Sequence, residues 1–136
     1  MKKKKTLIFD PIAAVALAIV FGSGSAMAQQ SGVTRTVLQR HDLNTRGREV
    51  IQVRIDFDPG MAFGKHSHPG EEIIYVLEGV LEYQVEGKPR VTLKAGSVLF
   101  IPAKTVHAAK NIGTRNAAEL ATYVVDKKKP LISFVK

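Results

Sequence analysis

The chain has 136 residues, a formal net charge of +8 and no cysteine, so it offers one domain's worth of core and no disulfide framework to support it. Basic residues are spread along it except at the start and at Lys127, Lys128 and Lys129. No dense basic stripe is interleaved with aromatics, which speaks against a nucleic-acid partner.

Residues 1–28 have the layout of a secretory signal peptide. Lys2, Lys3, Lys4 and Lys5 form a basic head, residues 12–21 a short apolar run, and Ala26-Met27-Ala28 a small-residue cleavage pattern. The apolar run falls short of the about 20 residues of a membrane span. No twin-arginine pair is present, so export would follow the general route as an unfolded chain. Cleavage after Ala28 would leave residues 29–136 as a single domain and lower the net charge from +8 to +5, by removing four lysines and Asp10. The expectation is a periplasmic or secreted protein without stable membrane association after cleavage; a retained anchor is the alternative.

Residues 29–32 are small and polar, a mature N-terminus. From Val33 the sequence settles into short alternating runs. Ile51, Val53, Ile55 and Phe57 share one face of a strand that Asp58-Pro59-Gly60 ends. Residues 73–77 are almost continuously apolar, as expected of a strand covered on both faces. Leu81, Tyr83 and Val85 alternate with polar residues; Val91 and Leu93 do the same between Gly-containing turns. Residues 98–101, 106–110, 119–126 and 131–135 complete the set. The single helix candidate, residues 116–121, is too short and runs into β-branched residues. Strands recur at spacings of roughly 8–12 residues, the mark of an all-β sandwich or barrel.

Three of the four histidines are His66, His68 and His107. In an extended segment residues two apart point the same way, so His66 and His68 can meet one object. Glu72 follows after a bend that Gly70 makes easy. Glu71 could do the same job: parity puts Glu72 with Ile74 and Val76, and Glu71 with Ile73 and Tyr75, and with both faces apolar it leaves the choice open. Three imidazoles and a carboxylate suit a divalent first-row metal better than Ca or Mg, and leave coordination positions open. The bland alternative for His66 and His68 is a solvated loop pair. His41 has no partner motif and reads as structural or surface.

These residues also carry a family resemblance. Gly60, five residues, His66-x-His68, three residues, Glu72, six residues and Gly79 match the first cupin motif. Gly96, five residues, Pro102, His107 and Asn111 match the second, with 16 residues between the two motifs. The chain thus resembles the small single-domain cupins. The resemblance implies a double-stranded β-helix, one metal held by His66, His68, Glu72 and His107, and a homodimer with the N-terminal strand or the strands of residues 119–135 as contacts. One departure is visible: Lys104 stands where the second motif expects Gly, so the loop before His107 is expected to turn differently. Asn111 is expected to close a strand end through side-chain hydrogen bonds.

Phe57, Met61, Phe63, Tyr83, Phe100 and Tyr123 are the larger side chains expected to line or fill the barrel as substrate pocket. No cluster of further acids or arginines stands out in the sequence. On affinity alone Cu or Zn leads the candidate metals, ahead of Ni, Mn and Fe. Two functions follow. One is an oxidoreductase of dioxygenase type, or an isomerase, acting on a small oxygen-rich molecule bound at the metal. The other is a non-catalytic periplasmic module that captures a metal or small ligand. A storage or structural protein ranks last, since it would not need an intact ligand set.

Overall fold

The computed structural model describes residues 30–135. The expected signal segment and its cleavage after Ala28 lie outside these residues. The described chain forms ten strands: β1 (Val33–Asp42), β2 (Arg48–Phe57), β3 (Ala62–Ser67), β4 (Gly70–Glu78), β5 (Val80–Val85), β6 (Val91–Lys94), β7 (Val98–Ile101), β8 (His107–Asn111), β9 (Ala117–Asp126) and β10 (Ser133–Phe134). No helix forms among the described residues. The helix candidate at residues 116–121 is the start of β9, where alternation of Ala117, Glu119, Ala121 and Tyr123 sets the period instead.

Two five-stranded sheets face each other, ordered β1-β2-β9-β4-β7 and β10-β3-β8-β5-β6, with every pairing antiparallel. From β2 to β5, and again from β6 to β10, the chain alternates between the sheets. That winding is the expected all-β double-stranded β-helix, or jelly roll. Strand alternation makes the core: Ile51, Val53, Ile55 and Phe57 from β2 meet Ile74, Val76, Leu81, Ala121 and Tyr123 in one buried cluster. Each such aliphatic side chain contributes about 1.5–3 kcal/mol when fully buried.

Three expectations need correction. The run at residues 73–77 is covered on one face only. Ile74 and Val76 are fully buried, while Ile73, Tyr75 and Leu77 are 38–47% exposed. Across the β4–β7 ladder Phe100 sits opposite Ile73 and Val98 opposite Tyr75, both also exposed. An antiparallel sandwich buries one face of each sheet, so a continuous apolar run here leaves an apolar outer face. Residues 119–126 cannot offer a free edge for pairing with another chain. They belong to β9, which is bonded on both sides, to β2 and to β4.

The third correction concerns Lys104. It keeps the turn expected of Gly by adopting φ of 63°, and its amide donates to the His68 carbonyl at 2.9 Å. The left-handed conformation costs a non-glycine residue about 1 kcal/mol or more. Lys104→Gly is therefore expected to stabilise the fold by about 1 kcal/mol, seen as a rise of a few degrees in the thermal midpoint; an unchanged or lower midpoint would show that the turn is not strained.

Candidate metal centre

Local sequence features bring four side chains to one point between the sheets. In the β3–β8 ladder Phe63 pairs with Ala109 and His66 with His107, and the register shifts between them. This bulge turns both Phe63 and His66 inward although they lie three residues apart. His68 follows just past the end of β3. Gly70 then opens β4 against β9. A Cβ there would collide with the Val124 carbonyl oxygen and lie 2.7 Å from Val125 Cα. The glycine is needed for this close approach rather than for the bend, since its φ is not positive. Two residues on, Glu72 faces inward, while Glu71 faces outward in an ion pair with Arg48 at 2.7 Å.

His66, His68, Glu72 and His107 are each buried to within 4% exposure. Every imidazole Nδ1 meets a backbone carbonyl: Gly64 at 2.7 Å for His66, Leu131 at 2.6 Å for His68, and Thr105 at 2.9 Å for His107. A carbonyl can only accept, so each Nδ1 carries the proton and each Nε2 keeps a free lone pair. One ligand atom from each histidine lies within 4.8 Å of the others. Glu72 Oε2 is 3.0 Å from His107 Nε2 and 3.4 Å from His68 Nε2. His68 Nε2 and Glu72 Oε2 are buried with no hydrogen-bond partner. Such convergence of unsatisfied acceptors costs free energy unless a cation joins them, so the donor set fits a divalent transition metal.

Electrostatics agree with that reading. Burial, with His107 and His68 beside it, pushes His66 down to about 3, which keeps its ring neutral and able to ligate. Burial works against the Glu72 carboxylate, but His107 and His68 beside it outweigh burial and hold the group below the usual carboxylate range.

Of the expected pocket residues, Phe57, Phe63, Tyr83 and Tyr123 line a cavity beside His66, Glu72 and His107. Met61 and Phe100 do not. Met61 is 40% exposed in the turn before β3, and Phe100 is 53% exposed because parity in β7 turns it outward while Ile101 faces in. The cavity measures about 10 Å³, room for one water or ion. A larger open cleft of about 270 Å³, between Lys65 and the turn at Gly87, also reaches His107. Asn111, fully buried, donates to the carbonyls of Phe57 and Arg115 at 2.9 and 2.8 Å and ties these loops together.

Two polar residues of the cavity, Arg35 and Glu119, escaped the sequence reading, which saw no further acids or arginines at the site. Their parity was the available signal: Glu119 alternates with Ala121 and Tyr123, and Arg35 with Val33. Glu119 accepts a 2.6 Å hydrogen bond from the Tyr83 hydroxyl. Burial, reinforced by the Glu72 charge, pushes its carboxyl up to about 8. Burial likewise raises Tyr83 and Tyr123 well above the ordinary phenol value.

The cupin domain family matches residues 53–125, more than half of the sequence. The chain belongs to the cupin family. Germin-like protein 1-1 of Oryza sativa subsp. japonica is 40% identical over 86 residues, 60% of this chain and 39% of its own length. The oxalate-binding protein of Thermotoga maritima is 31% identical over 90 residues, 65% of this chain and 72% of its own length. This cupin thus spans about two-fifths of the rice relative. Among solved structures, oxalate oxidase in complex with glycolate superposes with a TM-score of 0.63 at 27% identity, over 79% of this chain and 57% of that one. A cupin-like protein of Thermotoga maritima superposes at 0.64 and 27%, over 76% and 75%.

The buried titrating groups predict how the metal-free cupin responds to pH. Glu119 has a folded value near 8, above its unfolded value, so its contribution is complete at low pH and is lost as pH rises towards 8. His66 has a folded value near 3, below its unfolded value of 6.5, so its contribution is lost as pH falls from 6.5. Urea unfolding should therefore show stability falling between pH 6.5 and 8 by at most about 1.4 kcal/mol per pH unit, and Glu119→Gln should flatten that limb. A slope unchanged by the substitution would contradict the assignment.

Proposed function

We propose that this cupin binds one divalent transition metal through His66, His68, Glu72 and His107, and on it a small carboxylic acid of the oxalate or glycolate type, which it oxidises with O2 as the electron acceptor. One observation carries the reading: three Nε2 lone pairs and an orphaned carboxylate oxygen converge in a buried site. An ion held there would supply open coordination positions for ligand oxygens, together with redox or Lewis-acid chemistry. Cu leads on affinity among ions that can support oxidation, with Ni, Mn and Fe as the other redox-active candidates; Zn, equally favoured on affinity, would support only binding or a Lewis-acid step such as isomerisation. The backbone carbonyls that hold each Nδ1 keep the rings in one tautomer and one direction. The aromatic walls of Phe57, Phe63 and Tyr123 exclude bulk water. Glu119 and Tyr83 share a buried proton-bearing hydrogen bond within reach of a ligand in the cavity.

The substrate class is supported by two relatives, an oxalate-binding protein and an oxalate oxidase complexed with glycolate. A second reading, a periplasmic capture module without turnover, is favoured by the first of these, which matches over most of its length. Protein purified from its own compartment, expected to be the periplasm or medium, should carry about one ion per chain. Oxygen uptake with oxalate and glycolate, set against catechols, flavonols and diketones, decides between the readings. Uptake with the acids that His68→Ala abolishes supports oxidation, binding without uptake supports capture, and absence of bound metal contradicts both.

We also propose that a second copy covers the apolar outer face of Ile73, Tyr75, Val98 and Phe100, which borders the free edge of β7. Light scattering should give twice the chain mass for the wild type and a single chain for Phe100→Glu. A wild-type monomer would contradict it.

A further inference from the structure

Apart from the metal-directed atoms of His68 and Glu72, one buried polar side-chain atom among the described residues has no partner: Nε of Arg35. Arg35 lies opposite Ile55 in the β1–β2 ladder, and Ile55 faces the core, so the register turns a cation inward from an edge strand. Its Nη2 donates to the Tyr123 hydroxyl at 3.1 Å. Its guanidinium lies 5.3 Å from the Phe63 ring centroid and 5.7 Å from that of Tyr123. Among the described residues no carboxylate forms an ion pair with it. Glu119, which shares the cavity, is bonded to Tyr83 instead.

A half-buried cation with an unused donor is unfavourable unless something completes it. Held against two aromatic rings, the guanidinium keeps its planar fork oriented, and a planar carboxylate is the group that such a fork matches. The same cavity is walled by His66, Glu72 and His107. We propose that Arg35 anchors a carboxylate of the ligand, so that the site selects small organic anions with one carboxylate for Arg35 and a second oxygen donor for the histidine cluster. This rests on the reading of that cluster as a metal centre for small acids, and adds the residue that reads their charge. The cavity of about 10 Å³ holds only a water or ion. A ligand therefore seats only as the cavity widens beyond this volume, which restricts the site to acids of very few carbons.

Titration calorimetry of zinc-loaded protein with oxalate, glycolate and glycolamide tests the assignment. Glycolamide keeps the hydroxyl oxygen and loses the charge. Arg35→Gln should weaken both acids by roughly 10- to 100-fold, the loss expected for hydrogen bonds to a charged group. Zinc stoichiometry and glycolamide affinity should not change. Arg35→Lys should recover only part of the affinity, because an ammonium lacks the fork. Acid binding by Arg35→Gln within about twofold of wild type, or equal loss for glycolamide, would overturn the anchor and leave the metal centre standing. Wild-type protein that holds zinc and binds neither acid would overturn the small-acid function and the anchor together. Should Arg35→Gln not fold, Arg35→Lys decides alone: weakened acid binding supports the anchor, and unchanged binding overturns it.

Discussion

The hydrogen bonds from Nδ1 of His66, His68 and His107 to the carbonyls of Gly64, Leu131 and Thr105 govern much of what surrounds them. By holding the proton on Nδ1 they leave each Nε2 as a lone pair, and by fixing the rings they aim the lone pairs at one another. Such an arrangement is unfavourable by itself. It persists because β3, β4 and β8 are locked into two sheets whose core residues are buried on both sides of the site. Local strain at Lys104 belongs to the same economy, since its amide bonds the His68 carbonyl while its backbone sits in a glycine conformation.

The ligands come from short-range features that sequence periodicity handles well, and the inward turn of Phe63 beside them from a feature it handles poorly. Alternation placed Glu72 with Ile74 and Val76, and the structure puts all three inward. Two-residue spacing placed His66 with His68. The bulge that turns Phe63 to the same side as His66 leaves no mark in hydrophobic pattern, because an extra residue in one strand is set by pairing with β8. In the sequence Gly70 reads as easing a bend; the glycine is there because β4 and β9 approach too closely for a Cβ. That requirement comes from a strand more than fifty residues away.

The all-β architecture was readable for similar reasons, and the errors cluster where a run of apolar residues has two possible causes. Residues 73–77 look like a doubly covered strand, but within one chain half of that run faces outward. Met61 and Phe100 were grouped with Phe63 and Tyr123 by size alone, and size does not tell which side of a sheet a residue occupies. Arg35 and Glu119 were missed for the converse reason: each is a charged residue at an inward position of an otherwise apolar alternation. A charge at a core position is the pattern most worth reading as function, because the fold alone gives no reason to keep it there.

The proposed metal centre rests on four buried side chains addressed through Nε2 and a Glu72 oxygen. Anomalous diffraction from crystals of metal-bound protein, recorded at the absorption edge of the ion, tests it most directly. A single peak is expected within bonding distance of Nε2 of His66, His68 and His107 and of a Glu72 oxygen, with each Nδ1 still on its carbonyl. A peak elsewhere, no peak in metal-bound protein, or ligation through Nδ1 would contradict it.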